Sequence, residues 1–245
     1  MNSAIKLSSA AVILALGMIL SASLMSKFFV RIRHEKAITV KGYAEKDVVS
    51  DVGKFSCTCT ARGANLKESY SKLQESRAAV LEYLKRCGFN EAEMVPGTIN
   101  ISKILKRDAQ GKETNEPEYY DVFQSVAVSS GNVKLIKSVS TGITELIRDG
   151  IDISSSEPAF FISDLKDTKL GLLAAATQDG HHRAVALAEN SGGKVGALIS
   201  AHQGVFQITE RNSTDTSGSG EYDTSAIEKT AKAIVTLEYA ISVKK

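Results

Sequence analysis

The sequence predicts an α+β protein, with antiparallel sheets and helices packed on one face, preceded by a single N-terminal transmembrane helix. Three observations carry this. Residues 8–26 hold no charged side chain, and about 20 such residues span a hydrocarbon core of about 30 Å. Lys54–Ala61 alternates apolar and polar residues, the period of a half-buried strand. Finally, paired strand-like segments are separated by single stretches of helical period, an order that points to antiparallel sheets.

Composition narrows the classes further. The chain has 245 residues, 43% of them hydrophobic and 24% charged, which suits a packed core. Three prolines leave no Pro-rich linker, so residues 37–245 read as one unit with room for two subdomains. Residues 1–30 carry Lys6 and Lys27 and no acid. Of the 30 basic residues, 28 therefore remain in the body, against 28 acidic ones. A charge-balanced body lacks the basic footprint that nucleic acid requires.

At the amino terminus, residues 1–7 read as a short tail and 8–30 as the anchor. A cleaved signal peptide is the competing reading: Lys6 is its basic end, Ala11–Leu20 its apolar stretch and Ser21-Ala22-Ser23 its cleavage site. Leu24, Met25, Phe28, Phe29 and Val30 prolong the apolar run past that point, which favours a retained anchor. More basic residues follow the span than precede it, which counts against export. A large following domain can nonetheless translocate, and the expected topology places the C-terminal domain outside the inner membrane.

Along the body, Ile38–Lys46 reads as the first strand. In the second, Phe55, Cys57, Cys59 and Ala61 share one face. Asn65 and Glu68 form a capping box for the first helix, whose stripe is Leu66, Tyr70, Leu73, Val80, Leu81 and Leu84, with Gly88 as its stop. Asn100–Leu105 and Tyr119–Ser129 read as strands around a polar loop at 106–118. Asn132 opens a helix over Val133–Arg148. Ile151–Ser154 and Ala159–Ser163 read as extended. A third helix starts near Asp167 and ends at Ser191-Gly192-Gly193. Its stripe, Leu170, Leu173, Ala174, Thr177, Ala184, Leu187 and Ala188, is rich in small residues that let another backbone come close. Val195–Ile208 and Ala231–Val243 close the chain as strands, around a Ser/Thr/Gly/Asp-rich surface loop.

Catalytic patterns are missing. No G-x-S-x-G elbow, P-loop, H-E-x-x-H or dinucleotide fingerprint occurs. His181 and His182 are adjacent on a helix and so point about 100° apart, a poor chelating pair; His181 falls near the apolar face, as a core or interface histidine. Asp215, Glu221 and Asp223 lack EF-hand spacing and read as a solvated loop. Asn212-Ser213-Thr214 and Asn100-Ile101-Ser102 match the glycosylation sequon. Cys57 and Cys59 lie two apart on one strand, too far along it to bond comfortably. They read as small buried hydrophobes, with a bridge to Cys87 or a thiol metal site as the alternatives. No catalytic, cofactor-binding or metal-binding residue is assigned, and the protein is expected not to be an enzyme.

Several segments carry a family likeness: ITVKGYAEKDVVSD at 38–51, ANLKESYSKLQESRAAVLEYLKRCGFNEAEM at 64–94, the block from Asp167 to Leu198, AHQGVFQIT at 201–209 and DTSAIEKTAKAIVTLEYAI at 223–241. In this order they resemble the SIMPL-domain family of bacteria, which includes the Brucella-type periplasmic immunogenic proteins, and in particular its members with an amino-terminal membrane segment. Many members have Pro-Asp in the first turn, where this chain has Ser50-Asp51-Val52. The resemblance implies an α+β fold, an envelope location and large ring- or cage-like homo-oligomers. The expectation is a noncatalytic protein, single-pass in the bacterial inner membrane with its C-terminal domain in the periplasm, that assembles with copies of itself. A periplasmic ligand-binding or stress-protection protein of low oligomeric state is the alternative.

Overall fold

The structure, a computed structural model, describes residues 17–19, 21–22, 37–213 and 219–243. The expected anchor, 8–30, lies outside the described residues apart from 17–19 and 21–22. Among the described residues no helix is long and apolar enough to cross a membrane.

The chain forms an α+β fold of two compact units. Of the described residues, those within 17–44, 171–204 and 233–243 make the first, and those within 45–170 and 205–232 the second. The strands are β1 (Ala37–Val49), β2 (Val52–Gly63), β3 (Met94–Arg107), β4 (Glu113–Ser130), β5 (Asp152–Ser155), β6 (Ala159–Phe161), β7 (Gly193–Gln203), β8 (Gln207–Glu210) and β9 (Glu228–Val243). The helices are α1 (Leu66–Cys87), α2 (Val133–Gly142) and α3 (Lys166–Asn190).

In the second unit β2 is central. It pairs antiparallel with β4 on one side and with β5 and β6 on the other, and β3 pairs antiparallel with β4. Phe55, Cys57, Cys59 and Ala61 all point into the core, at 7% exposure or less, as their alternation predicts. Two helices cover that face. Val80 and Leu84 of α1 and Ile136 and Val139 of α2 pack with Phe55, Cys57 and Phe160 in one cluster. Asn65 Oδ1 accepts the Glu68 N–H at 3.0 Å, while Glu68 Oε2 accepts the Ala64 N–H at 3.2 Å. Gly88 ends α1 in the left-handed region at φ 106°, the conformation that favours glycine there.

The buried stripe of α1 is Ser69, Leu73, Val80 and Leu84. Leu66 and Tyr70, expected inside, are 41% and 48% exposed; Ser69 takes the inner position because its hydroxyl donates to the Tyr120 carbonyl at 3.0 Å. The helix expected over Val133–Arg148 is α2 only to Gly142, then a 3-10 stretch at Ile143–Asp149 closed by Gly150 at φ 83°.

Strands β3 and β4 are longer than the sequence suggests. The expected loop at 106–118 is mostly strand, turned by Asp108–Gly111. Asp108 Oδ1 accepts the N–H groups of Gln110 and Lys112 at 3.0 and 2.9 Å, and Gly111 sits at φ 81°. The charges that made it read as loop form cross-strand pairs, Lys106–Glu116 at 3.1 Å and Arg107–Glu113 at 3.7 Å.

The first unit holds β7, the N-terminal part of β1, the C-terminal part of β9 and most of α3. The strand order is β1-β9-β7, with β7 antiparallel to β9. Val235, Leu237 and Tyr239 are buried, as predicted. The stripe of α3 matches expectation at Ala184 and Ala188 and differs elsewhere. Its buried residues are Leu172, Ala176, Gly180, Ala184 and Ala188, spaced by four, whereas Leu170 and Leu187 are 58% and 53% exposed. The small-residue logic holds on this shifted stripe. A Cβ on Gly42 of β1 would lie 2.0 Å from the Ala176 carbonyl oxygen and 2.7 Å from the Gly180 nitrogen. The single strand expected over Val195–Ile208 is broken into β7 and β8 at residues 204–206.

Candidate functional site

Open grooves mark the second unit. One, of about 690 Å³, runs beside α1 and the end of β2. Its charged lining is Arg62, Lys72, Glu75, Glu82, Arg86, Asp149 and Asp152. Arg62 is already spent. It grips Asp121 with Nε and Nη2 at 2.8 and 2.9 Å and lies 3.9 Å from the Tyr119 ring centre. Lys72 pairs with Glu68 at 2.8 Å. A second groove, of about 460 Å³, is lined by Tyr83, Arg86, Cys87, Glu145, Leu146, Arg148 and Asp149. Mixed charge and open walls suit neither the apolar enclosure of small-ligand pockets nor a desolvated acid–base pair.

The perturbed groups are structural knots. Lys229 is fully buried. Its Nζ donates to the Phe160 carbonyl at 2.6 Å and to the Asp223 carbonyl. Burial pulls its pKa down, against the opposing pull of Asp223. Lys232 Nζ donates to the Ser213 carbonyl at 2.5 Å, so two buried lysines hold the two sides of the loop between β8 and β9. Asp51 accepts the hydroxyl and N–H of Ser163 at 2.5 and 2.7 Å, bonds that hold its carboxyl below the ordinary carboxylate range. Burial, helped by Cys59, pushes the Cys57 thiol up to about 12, and burial raises Cys59 as well. Both are therefore protonated and shielded, the opposite of a reactive cysteine. All three cysteines are free, so neither alternative bridge to Cys87 is formed.

The polar residues around His181 and His182, and those of the loop before β9, make structural contacts. Asp179 accepts the Tyr43 N–H at 2.9 Å and pairs with Arg183 at 2.8 Å. These contacts lower its pKa, the Tyr43 bond foremost. His181 is not on the buried stripe: it is exposed, with its ring edge-on to Tyr239 at 5.4 Å. Asp223 caps its own turn, accepting the N–H groups of Ser225 and Ala226. Asp215 lies outside the described residues. Among the described residues no group of three or more His, Cys, Asp or Glu is placed to hold a metal. Lys229 escaped the sequence reading. The signal was its phase, since Lys229, Ala231, Ala233, Val235 and Leu237 fall two apart on one buried face.

Two strand edges stand out. Among the described strands β3 pairs with β4 alone, and Val95 and Ile101 on it are 61% and 56% exposed. The β2 ladder ends at Gly63 opposite Tyr120, so beyond it β3 and β4 continue as a two-stranded ribbon. Among the described strands β7 pairs with β9 alone, and its Leu198 and Ile199 are 49% and 46% exposed. Exposed edges are templates for another strand; β3 is partly blunted by Pro96, Lys103, Lys106 and Arg107, whereas β7 carries no fixed charge from Val195 to Gln203.

Fold and surface thus define a two-unit α+β protein with exposed edge strands among the described residues. The chain belongs to the SIMPL family, described as a protein of unknown function (DUF541), which matches residues 38–242. No curated protein matches it. Among solved structures, the de novo designed protein Foldit4 is similar at 13% identity over 42% of this chain and 93% of its own, with a TM-score of 0.22. An amidase of the hydantoinase/carbamoylase family from Burkholderia vietnamiensis is similar at 11% identity over 50% of this chain, with a TM-score of 0.26, and this chain spans only 30% of it. An uncharacterized conserved protein from Listeria innocua is similar at 11% identity over 81% of this chain and 92% of its own, with a TM-score of 0.21. Likenesses this slight carry no functional argument.

Proposed function

We propose that this protein is a noncatalytic, self-assembling component of the bacterial envelope, held in the inner membrane by residues 8–30 with its C-terminal domain in the periplasm. The observation that carries the reading is the pair of exposed edge strands, β3 and β7, one in each unit, neither covered by any described strand. Two different edges on one chain allow two different contacts. Repetition of two contacts closes rings and cages, in which each weak contact is reinforced by the others. The uncharged stretch at 8–26 and the family's envelope members support the location.

The groove beside α1 favours this reading over a ligand-binding protein of low oligomeric state, since seven charged side chains line it. Size-exclusion chromatography with light scattering on the full chain in mild detergent is the test. A protein mass several times 26.2 kDa is expected. A single-chain mass at micromolar concentration refutes the proposal.

A further inference from the structure

Building on the self-assembly reading, we infer that β7 pairs antiparallel with β7 of a second copy, about a twofold axis through Leu198. The first unit treats its two sheet edges differently. At the β1 edge, the Tyr43 N–H is taken by the Asp179 carboxylate at 2.9 Å, and α3 lies so close to Gly42 that a single added carbon would strike its backbone. That edge is already engaged at Tyr43, and α3 covers the face beside it. At the β7 edge, β9 takes one side and no described strand takes the other.

The chemistry of β7 fits a copy of itself. From Val195 to Gln203 it contains no Lys, Arg, Asp or Glu, so a second β7 approaches without like-charge repulsion. Its shape also fits. Strand irregularities fall between Val195 and Leu198 and between Leu198 and Ser200, one on each side of Leu198. A twofold axis at Leu198 lays each distortion of one strand over the other distortion of its mate, whereas a regular foreign strand would meet two breaks in register. In that arrangement Ala197 faces Ile199, Gly196 faces Ser200, Val195 faces Ala201 and Lys194 faces His202. Small residues thus oppose larger ones, and no two residues of fixed like charge oppose each other. A twofold contact at β7 leaves the β3 edge for the second kind of contact that a cage needs.

Residues on such an axis face their own copies at about 4.5–5.5 Å between Cα atoms, within disulfide reach. The test uses the full chain in detergent with Cys87→Ser, since Cys57 and Cys59 are buried. Under mild oxidation, Leu198→Cys is expected to give a reducible covalent dimer and Val195→Cys to give none above background. Leu198→Lys, which sets two ammonium groups face to face, is expected to break the assembly into smaller species of lower mass. If Leu198→Cys gives no more dimer than Val195→Cys, or links to a chain of another mass, while the unmutated protein stays oligomeric, the twofold pairing is overturned and self-assembly survives. If the unmutated protein is a single chain, both fall.

Discussion

Replacing Gly42 by alanine tests the packing of the first unit. The new Cβ would sit 2.0 Å from the Ala176 carbonyl oxygen, 2.7 Å from the Gly180 nitrogen and 2.9 Å from the Gly180 Cα. Contacts under 3.0 Å essentially never occur for a real Cβ, so the strand and helix must part by about 1 Å or more. Both obstacles are backbone and no side chain can rotate aside. Overpacking relieved by side chains costs about 1–3 kcal/mol, so this case belongs at or above about 3 kcal/mol. For a chain of this size that is a fall in Tm of about 6–12 °C. Gly180→Ala is the internal control. Its Cβ meets the tip of Leu237 at 2.8 Å, which can yield, and the Cα and nitrogen of Gly42 at 3.3 Å, which need give only by a few tenths of an ångström. The gain in helix propensity, about 1 kcal/mol, offsets the crowding, and a net change within about 1 kcal/mol is expected. Paired urea melts of the two variants, compared at equal m-value, decide. A Gly42→Ala loss below about 1 kcal/mol, or a ranking in which Gly180→Ala is the worse, refutes the close approach of β1 and α3.

Other consequences are as direct. In the native protein a small alkylating reagent should label Cys87 alone, with Cys57 and Cys59 reacting only after denaturation; labelling of the pair without denaturant contradicts their burial. Asp51→Asn should cost about 1 kcal/mol, discounted for exposure. The Asp51 carboxyl has a lowered pKa in the fold, so its contribution is complete above about pH 5 and is lost as pH falls through the folded value. The variant should therefore match the unmutated protein in strong acid and fall behind it near neutrality. Lys229→Met should cost about 2 kcal/mol at pH 7, because the carbonyls of Phe160 and Asp223 lose their donor. The Lys229 pKa lies below its ordinary 10.5 in the fold, so the folded state sheds its proton first. The advantage over the methionine variant should thus widen as pH rises towards 10.5; a flat difference across that window contradicts the burial of its charge.

What could be read in advance follows physical lines. The alternation at Lys54–Ala61 gave β2 and its buried face, because a strand with one face on a core must alternate. Asn65, Glu68 and Gly88 gave both ends of α1, because caps are local chemistry. The ribbon of β3 and β4 stayed hidden because it is exposed on both faces and so carries no alternation. Asp108 and Gly111, the first and last residues of a tight turn, were its local clue. The α3 stripe was misplaced because alanines surround the helix, and only the approach of Gly42 selects Ala176 and Gly180 as the inner face. The bare edges of β3 and β7 were illegible for a different reason. Whether a strand has one neighbour or two depends on pairings between distant segments, such as Gly193 with Val243, and no local pattern encodes that.

Native mass spectrometry of the full chain, released from detergent in the gas phase, addresses the core proposition most directly because it counts subunits. Peaks at a high integer multiple of 26.2 kDa, with Leu198→Lys shifting them to a smaller multiple, are the result expected of assembly through both edges. A spectrum of single chains at every protein concentration would mean that those edges stay empty and that the protein acts alone.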